Sequence, residues 1–207
     1  MGVKEGKKRE EERRRQLILD VARELFLAKG YFDARMEDIA AGAELATGTL
    51  YLYFHSKDEI YATLCEEGLD VLNGLLGEAA REGGGYRERL VAMGRAYLRF
   101  YAEYGSFYDI LSFVGLGFKQ MGLSPALERR ITRKSDAAIG LLETLVKEGV
   151  REGDIRPGES RETAFFLWGL PEGPIFIHRR GYMDACSVDL ARTTAGGMDA
   201  VYEGPRK

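Results

Sequence analysis

The chain has 207 residues, 45% of them hydrophobic and 30% charged, with a formal net charge of −3. Such a composition is expected of a soluble globular protein with enough apolar residues for a substantial core. No apolar run approaches the roughly 18 residues of a membrane span, and the charged start MGVKEGKKREEERRR is not expected to be a secretory signal. The two cysteines, Cys65 and Cys186, are far apart, which predicts a reducing compartment, no disulfide framework and a cytoplasmic location.

Almost every segment has helical period. Leu17, Ile18, Val21, Ala22, Leu25 and Phe26 form one apolar stripe, the inward face of a first helix. Gly30, after Lys29, supplies its stop. Met36, Ile39, Ala40 and Ala43 mark a short second helix, and Leu50 and Phe54 are the inward anchors of a third. Ser56 with Glu59 spells a capping box for a fourth helix running through Ile60, Leu64, Leu69 and Leu72. Gly83, Gly84 and Gly85 break the chain.

A helix from about Arg87 to Tyr104 follows, then a short aromatic helix to about Phe118. Ser124-Pro125 caps and opens a long helix whose stripe of Leu127, Ile131, Ala138, Leu141, Leu142, Leu145 and Val146 ends near Gly149 to Gly153. Another helix spans Arg161 to Leu170, and Pro171 and Pro174 are expected to interrupt it, because each lacks a helix donor. Val188 to Tyr202, loosened by Gly196 and Gly197, is a weak last helix. No segment shows strand-like alternation, so the fold is expected to be all-α.

The stretch from Met36 to Ile60 reads as two short helices, a tight turn and a restart into a further helix. Thr47, Tyr51 and His55 are spaced by four, placing them on one helical face beside Gly48. A residue without Cβ permits close backbone approach. Threonine and tyrosine hydroxyls suit phosphate oxygens and base edges. Lys57 joins its ammonium to the positive end of the fourth helix, a ready phosphate site. Together these features point to a helix lying in a DNA major groove. Residues 1–15 hold seven Lys or Arg against four Glu, a local net of +3 within an acidic chain. A small basic face of this kind is compatible with DNA binding.

On Ile39-Ala40, Gly48-Thr49-Leu50-Tyr51, Tyr53-Phe54 and Lys57-Asp58-Glu59-Ile60, the segment of about residues 13–65 resembles the N-terminal domain of the TetR (tetracycline-repressor) family of bacterial transcriptional regulators. The resemblance implies a helix-turn-helix DNA-binding domain over residues 1–56, with 1–12 frayed, and a larger helical ligand-binding and dimerisation domain over 57–207. It implies a homodimer on a pseudo-palindromic operator, most simply a repressor released by a small apolar or aromatic effector. Its candidate DNA contacts are Thr47, Gly48, Thr49, Tyr51, Tyr53 and Lys57, to which the spacing adds His55.

Three positions depart from the family's pattern. The turn is Glu44-Leu45-Ala46 where relatives commonly carry Gly-Val-Ser, and a non-glycine residue in a left-handed turn costs about 1 kcal/mol. Ala46 cannot cap the third helix, which leaves Thr47 with two possible roles, cap or DNA contact. Arg35 stands where a Thr or Ser cap is usual, and is a candidate to hold phosphate by charge.

The remaining two-thirds is rich in aromatics. Phe100, Tyr101, Tyr104, Phe107, Tyr108, Phe113, Phe165, Trp168 and His178 are the candidate lining of an effector cavity, with ordinary core as the competing interpretation. The Pro171–Pro174 break is expected to shape the cavity mouth or a dimer face. An enzyme is disfavoured. Two histidines and two distant cysteines make no metal cluster, and no glycine-rich loop sits between strand and helix. No cofactor, metal or membrane partner is expected. A DNA-binding protein controlled by a protein partner remains the second alternative.

Overall fold

A computed structural model describes residues 2–114 and 121–203. All its regular elements in that range are helical, as expected. Among the described residues no helix is long and apolar enough to cross a membrane. The chain divides into two compact units, residues 1–68 with 105–132, and residues 69–104 with 133–207.

The first unit opens with α1 (Gly2–Lys29). Its inward stripe is Ile18, Leu19, Ala22 and Phe26, all buried, whereas Leu17 is exposed. Periodicity alone had put Leu17 inside. Ile18, Ala22 and Phe26 repeat every four residues, and Leu19 lies nearer than Leu17 to the line they define. Gly30, at φ +81°, ends the helix, and its N–H bonds Phe26 O at 2.9 Å. α2 (Met36–Gly42) packs closely on α1: a methyl at Gly42 would come within 2.6 Å of a Val21 methyl.

The turn after α2 closes as a Schellman motif. Leu45 N–H reaches back to Ala40 O at 2.9 Å and Glu44 N–H to Ala41 O at 3.1 Å. This forces Glu44 to φ +56°, the left-handed region where a Cβ is penalised. Glu44→Gly should therefore raise stability by roughly 1 kcal/mol. Urea titration checks this, and an unchanged midpoint would show that the strain is relieved elsewhere.

α3 (Thr47–Leu50) is a single turn, and the chain then tightens. Leu52 and Tyr53 bond three residues back, to Thr49 O and Leu50 O, a 3₁₀-like pattern. α4 (Lys57–Ala79) starts from the expected capping box, with Glu59 N–H on Ser56 Oγ at 3.1 Å and the Glu59 carboxylate on His55 N–H at 2.8 Å. α6 (Gly105–Val114) belongs to this unit as well. Buried Tyr61 donates its hydroxyl to Ile110 O, and the Phe107 ring lies where Gly68 has no side chain. Burial pushes up both the Tyr61 hydroxyl and the Cys65 thiol, the latter to about 12.

The second unit takes α5 (Tyr86–Glu103), α8 (Ser160–Arg179), α9 (Tyr182–Ala185) and α10 (Leu190–Glu203), with α10 packed on α5 and α8. α4 and α7 (Pro125–Glu152) contribute residues to both units. Ser124 Oγ accepts from Leu127 N–H at 3.4 Å, so the predicted cap at the head of α7 forms. Its buried stripe includes Ile131, Ala138, Leu142, Leu145 and Val146.

The expected break at Pro171 and Pro174 does not occur: α8 runs through both. Ala164, Leu167, Pro171 and Ile175 are all buried, at spacings of three and four that make one helical face. Packing of that face holds the helix against the missing donors, a case of tertiary contacts overriding local propensity.

Candidate nucleic-acid interface

The α2–turn–α3 segment is built from the inside outward. Leu50 and Phe54 are fully buried. Arg15 holds Phe54 from α1, its guanidinium 4.1 Å from the Phe54 ring centroid and its Nη1 donating to Tyr53 O at 3.3 Å. With the apolar side so fixed, the opposite side must face solvent. Gly48 is exposed there, and a methyl added to it would meet nothing within 4 Å. Tyr51 is 44% and Leu52 81% exposed, while Thr47, Thr49 and Tyr53 are half-buried.

Ala46 occupies the N-cap position of α3, and no side chain caps it. Thr47 is the first helical residue. Of the two roles open to it, the cap is thereby removed. Arg35 is the exposed N-cap of α2 in extended geometry, and its side chain makes no cap bond. His55 lies beyond α3, in the bend before α4. The single helical face expected for Thr47, Tyr51 and His55 is therefore interrupted, because the tightened turn at residues 51–53 changes the angular step.

Lys57 is placed differently from the phosphate contact expected of it. Its Nζ donates to Tyr31 O at 2.7 Å, Ala34 O at 3.0 Å and Phe32 O at 3.2 Å, and lies 4.6 Å from the centre of the Tyr31 ring. An ammonium has three N–H bonds, and all three are directed at the α1–α2 loop. Burial lowers its pKa, against the opposing pull of Asp58 and Asp33. Beside it Tyr31 donates to Asp58 Oδ1 at 2.6 Å. The Tyr31 hydroxyl is pushed up by its own burial and then by that carboxylate. Lys57 thus works as a strut that sets where α2 begins, a role with no signature in the local sequence.

The second unit contains a small apolar cavity lined by Leu76, Leu90, Met93, Tyr97, Leu142 and Trp168, with Leu167 and Pro171 of α8 closing it. About 20 Å³ is open to the centre of a water-sized sphere, room for about one water. Tyr97 and Trp168 meet edge to face at 5.1 Å, and the Tyr97 hydroxyl donates to Glu172. Of the residues expected to line a cavity, Trp168 does so. Phe100 is buried with Tyr104 stacked on it at 6.1 Å, Tyr101 meets His178 edge-on at 6.4 Å, and Phe165 is exposed beside Arg161. Phe107 and Tyr108 belong to the first unit, on α6. The Phe113 side chain, and the expected end of that helix at Phe118, lie outside the described residues.

Sequence reasoning missed the aliphatic part of the lining. Leu76, Leu90 and Leu142 come from three helices far apart in sequence. Only the proximity of Pro171 to Trp168 was a usable signal. Among the described residues no group of three or more His, Cys, Asp or Glu is placed to hold a metal.

Residues 18–64 match the family model of bacterial regulatory proteins, tetR family. The fatty acid metabolism regulator protein of Bacillus subtilis (strain 168) is 25% identical over 141 residues, covering 68% of this chain and 70% of that protein. Two solved structures share the fold. FadR from Bacillus subtilis in complex with stearoyl-CoA superposes with a TM-score of 0.72 at 21% identity, over 92% of this chain and 99% of that one. AibR in complex with isovaleryl coenzyme A and operator DNA gives 0.72 at 19% identity, over 91% and 98%.

Proposed function

Since the chain belongs to the TetR family of transcriptional regulators, we propose that it acts as a homodimeric repressor released from its operator by an apolar effector. The observation that carries the DNA-binding part is the two-sided character of residues 46–55. Leu50 and Phe54 are fully buried, while Gly48, Tyr51 and Leu52 face outward. In this proposal residues 1–56 supply the DNA-reading surface, with Arg35, Thr47, Gly48, Thr49, Tyr51 and Tyr53 at the duplex. His55 flanks them, and Lys57 positions the surface from behind.

Gly48→Ala and Tyr51→Phe test it in anisotropy titrations against duplexes selected from a random library. Alanine at Gly48 is compatible with the free protein, where nothing lies within 4 Å. The added methyl, forced into a close DNA contact, should weaken binding roughly tenfold, with an unchanged or higher melting temperature. Wild-type affinity in both variants would remove these residues from the interface.

The dimer part rests on the outward face of α8. Phe165, Phe166, Phe176 and Ile177 are exposed on it, and between the pairs lie exposed Gly169 and Gly173. These six positions fall on one side of the helix, opposite the buried Leu167–Pro171–Ile175 side. Two aromatic knobs with a bare saddle between them suit close packing against an identical helix about a two-fold axis. The two α3 segments would then meet successive major grooves, about 34 Å apart.

The effector part rests on the cavity lined by Tyr97, Trp168 and the surrounding leucines. Its 20 Å³ must expand for any acyl chain to enter, so an effector would select a second conformation and could lower operator affinity by population shift. A long-chain acyl-coenzyme A is the first candidate, because relatives are a fatty acid metabolism regulator and proteins solved with acyl-coenzyme A. Addition of stearoyl-CoA to the protein–operator complex should release labelled DNA. Retention of DNA at saturating ligand would exclude this effector class.

A further inference from the structure

We propose that Leu52 is a specificity-determining residue whose side chain contacts the C5 methyl of one thymine in each operator half-site. This assignment rests on the DNA-binding function proposed above.

Leu52 is 81% exposed, more than any other large apolar side chain among the described residues. It lies just beyond α3, in the tightened turn between the fully buried Leu50 and Phe54, and its exposure places it on the side away from those anchors. Gly48, in the preceding helical turn, is exposed as well. Gly48 has no side chain and nothing within 4 Å of where a Cβ would sit. At Gly48 this surface is backbone, and Leu52 is its most exposed large apolar side chain. Tyr51 and Thr49 flank it with hydroxyls.

The chemistry selects the partner. Tyrosine and threonine hydroxyls can hydrogen-bond phosphates or base edges. An isobutyl group has neither donor nor acceptor, and against a phosphate it gains nothing. In the major groove the one apolar feature of unmodified DNA is the thymine C5 methyl. A leucine carried into the groove on this segment finds a favourable contact there, whereas a cytosine or purine edge would lose hydration against it. The preference for thymine is thus generated by apolar contact, beside the polar contacts that hold the segment in place.

The test uses the full chain and a duplex it enriches from a random library. Each thymine of that duplex is replaced in turn by deoxyuridine, which removes only the methyl. With the wild-type protein, one position per half-site should weaken binding about fourfold, the effect of one methyl group lost from an apolar contact. Leu52→Ala should bind more weakly than wild type and be indifferent to deoxyuridine at that position. Its melting temperature should not change, because the side chain is exposed. The dependence of its affinity on salt should also be unchanged, because no phosphate contact is lost.

Equal deoxyuridine losses in both proteins would overturn the assignment, as would a wild-type protein insensitive to every thymine methyl. Failure of the wild-type chain to enrich any duplex would instead overturn the DNA-binding function itself, and this assignment with it.

Discussion

Phe166→Glu should convert the proposed dimer to a monomer. Sedimentation velocity should then report 23.2 kDa in place of twice that mass. Phe166 is 64% exposed on α8, so glutamate there leaves the packing of the single chain intact and the circular dichroism unchanged. In a helix-to-helix interface about a two-fold axis the substitution places two carboxylates in an apolar seam. Each loses several kcal/mol of hydration there without a compensating partner. A reader of two half-sites gains most of its affinity from joining them, so operator binding should fall at least 100-fold with it. A Phe166→Glu protein that remains dimeric would move the interface away from this face.

Lys57→Met should destabilise the first unit by about 2 kcal/mol, the size of a set of hydrogen bonds to a charged donor. Methionine keeps a stem of similar length and removes the ammonium, which makes the hydrogen bonds and lies over the Tyr31 ring. The carbonyls of Tyr31, Phe32 and Ala34 then lose their shared donor, and the α1–α2 loop loses the group that holds it. Urea denaturation followed by tryptophan-independent far-ultraviolet dichroism reads this directly. Operator affinity should also fall, through misplacement of α2 and not through a lost phosphate. A salt dependence equal to that of wild type distinguishes the two causes. Unchanged stability with a shallower salt dependence would return Lys57 to the phosphate.

The first unit shows both what its sequence makes legible and what it leaves open. The buried side of residues 46–55 was legible because Leu50 and Phe54, four apart, leave little freedom about which way a short helix turns. The capping box at Ser56 and Glu59 formed because it is local, spanning a single turn. Glu44 was legible as a strained turn for the same reason, and its φ of +56° follows from a motif that six neighbouring residues define. Lys57 was not legible. Its sequence position suggested phosphate, but a flexible four-carbon stem reaches several partners, and carbonyls 23 to 26 residues away met it first.

The prolines of α8 teach the converse. Pro171 and Pro174 carry the strongest local signal against a helix in this chain, yet the helix continues. The side containing Leu167, Pro171 and Ile175 is buried against its neighbours, and burial of several side chains exceeds the few kcal/mol that missing donors cost. The same effect hid the cavity. Aromatic density pointed to Phe100, Tyr101 and Tyr104, whereas the space is bounded mainly by leucines from α4, α5 and α7 around Tyr97 and Trp168.

By itself, then, the amino-acid sequence determined the all-helical class, the helix-turn-helix segment and its inward anchors, and the caps at the heads of α4 and α7. Each depends on periodicity or on groups within about one or two turns, where chain geometry leaves few alternatives. Only the tertiary structure decided that Lys57 faces the loop carbonyls, that α8 survives its prolines, that Leu52 is left exposed beside buried Leu50 and Phe54, and which leucines enclose the cavity. Those outcomes are set by competition among contacts distant in sequence, and the winner depends on which side chains the fold brings within reach.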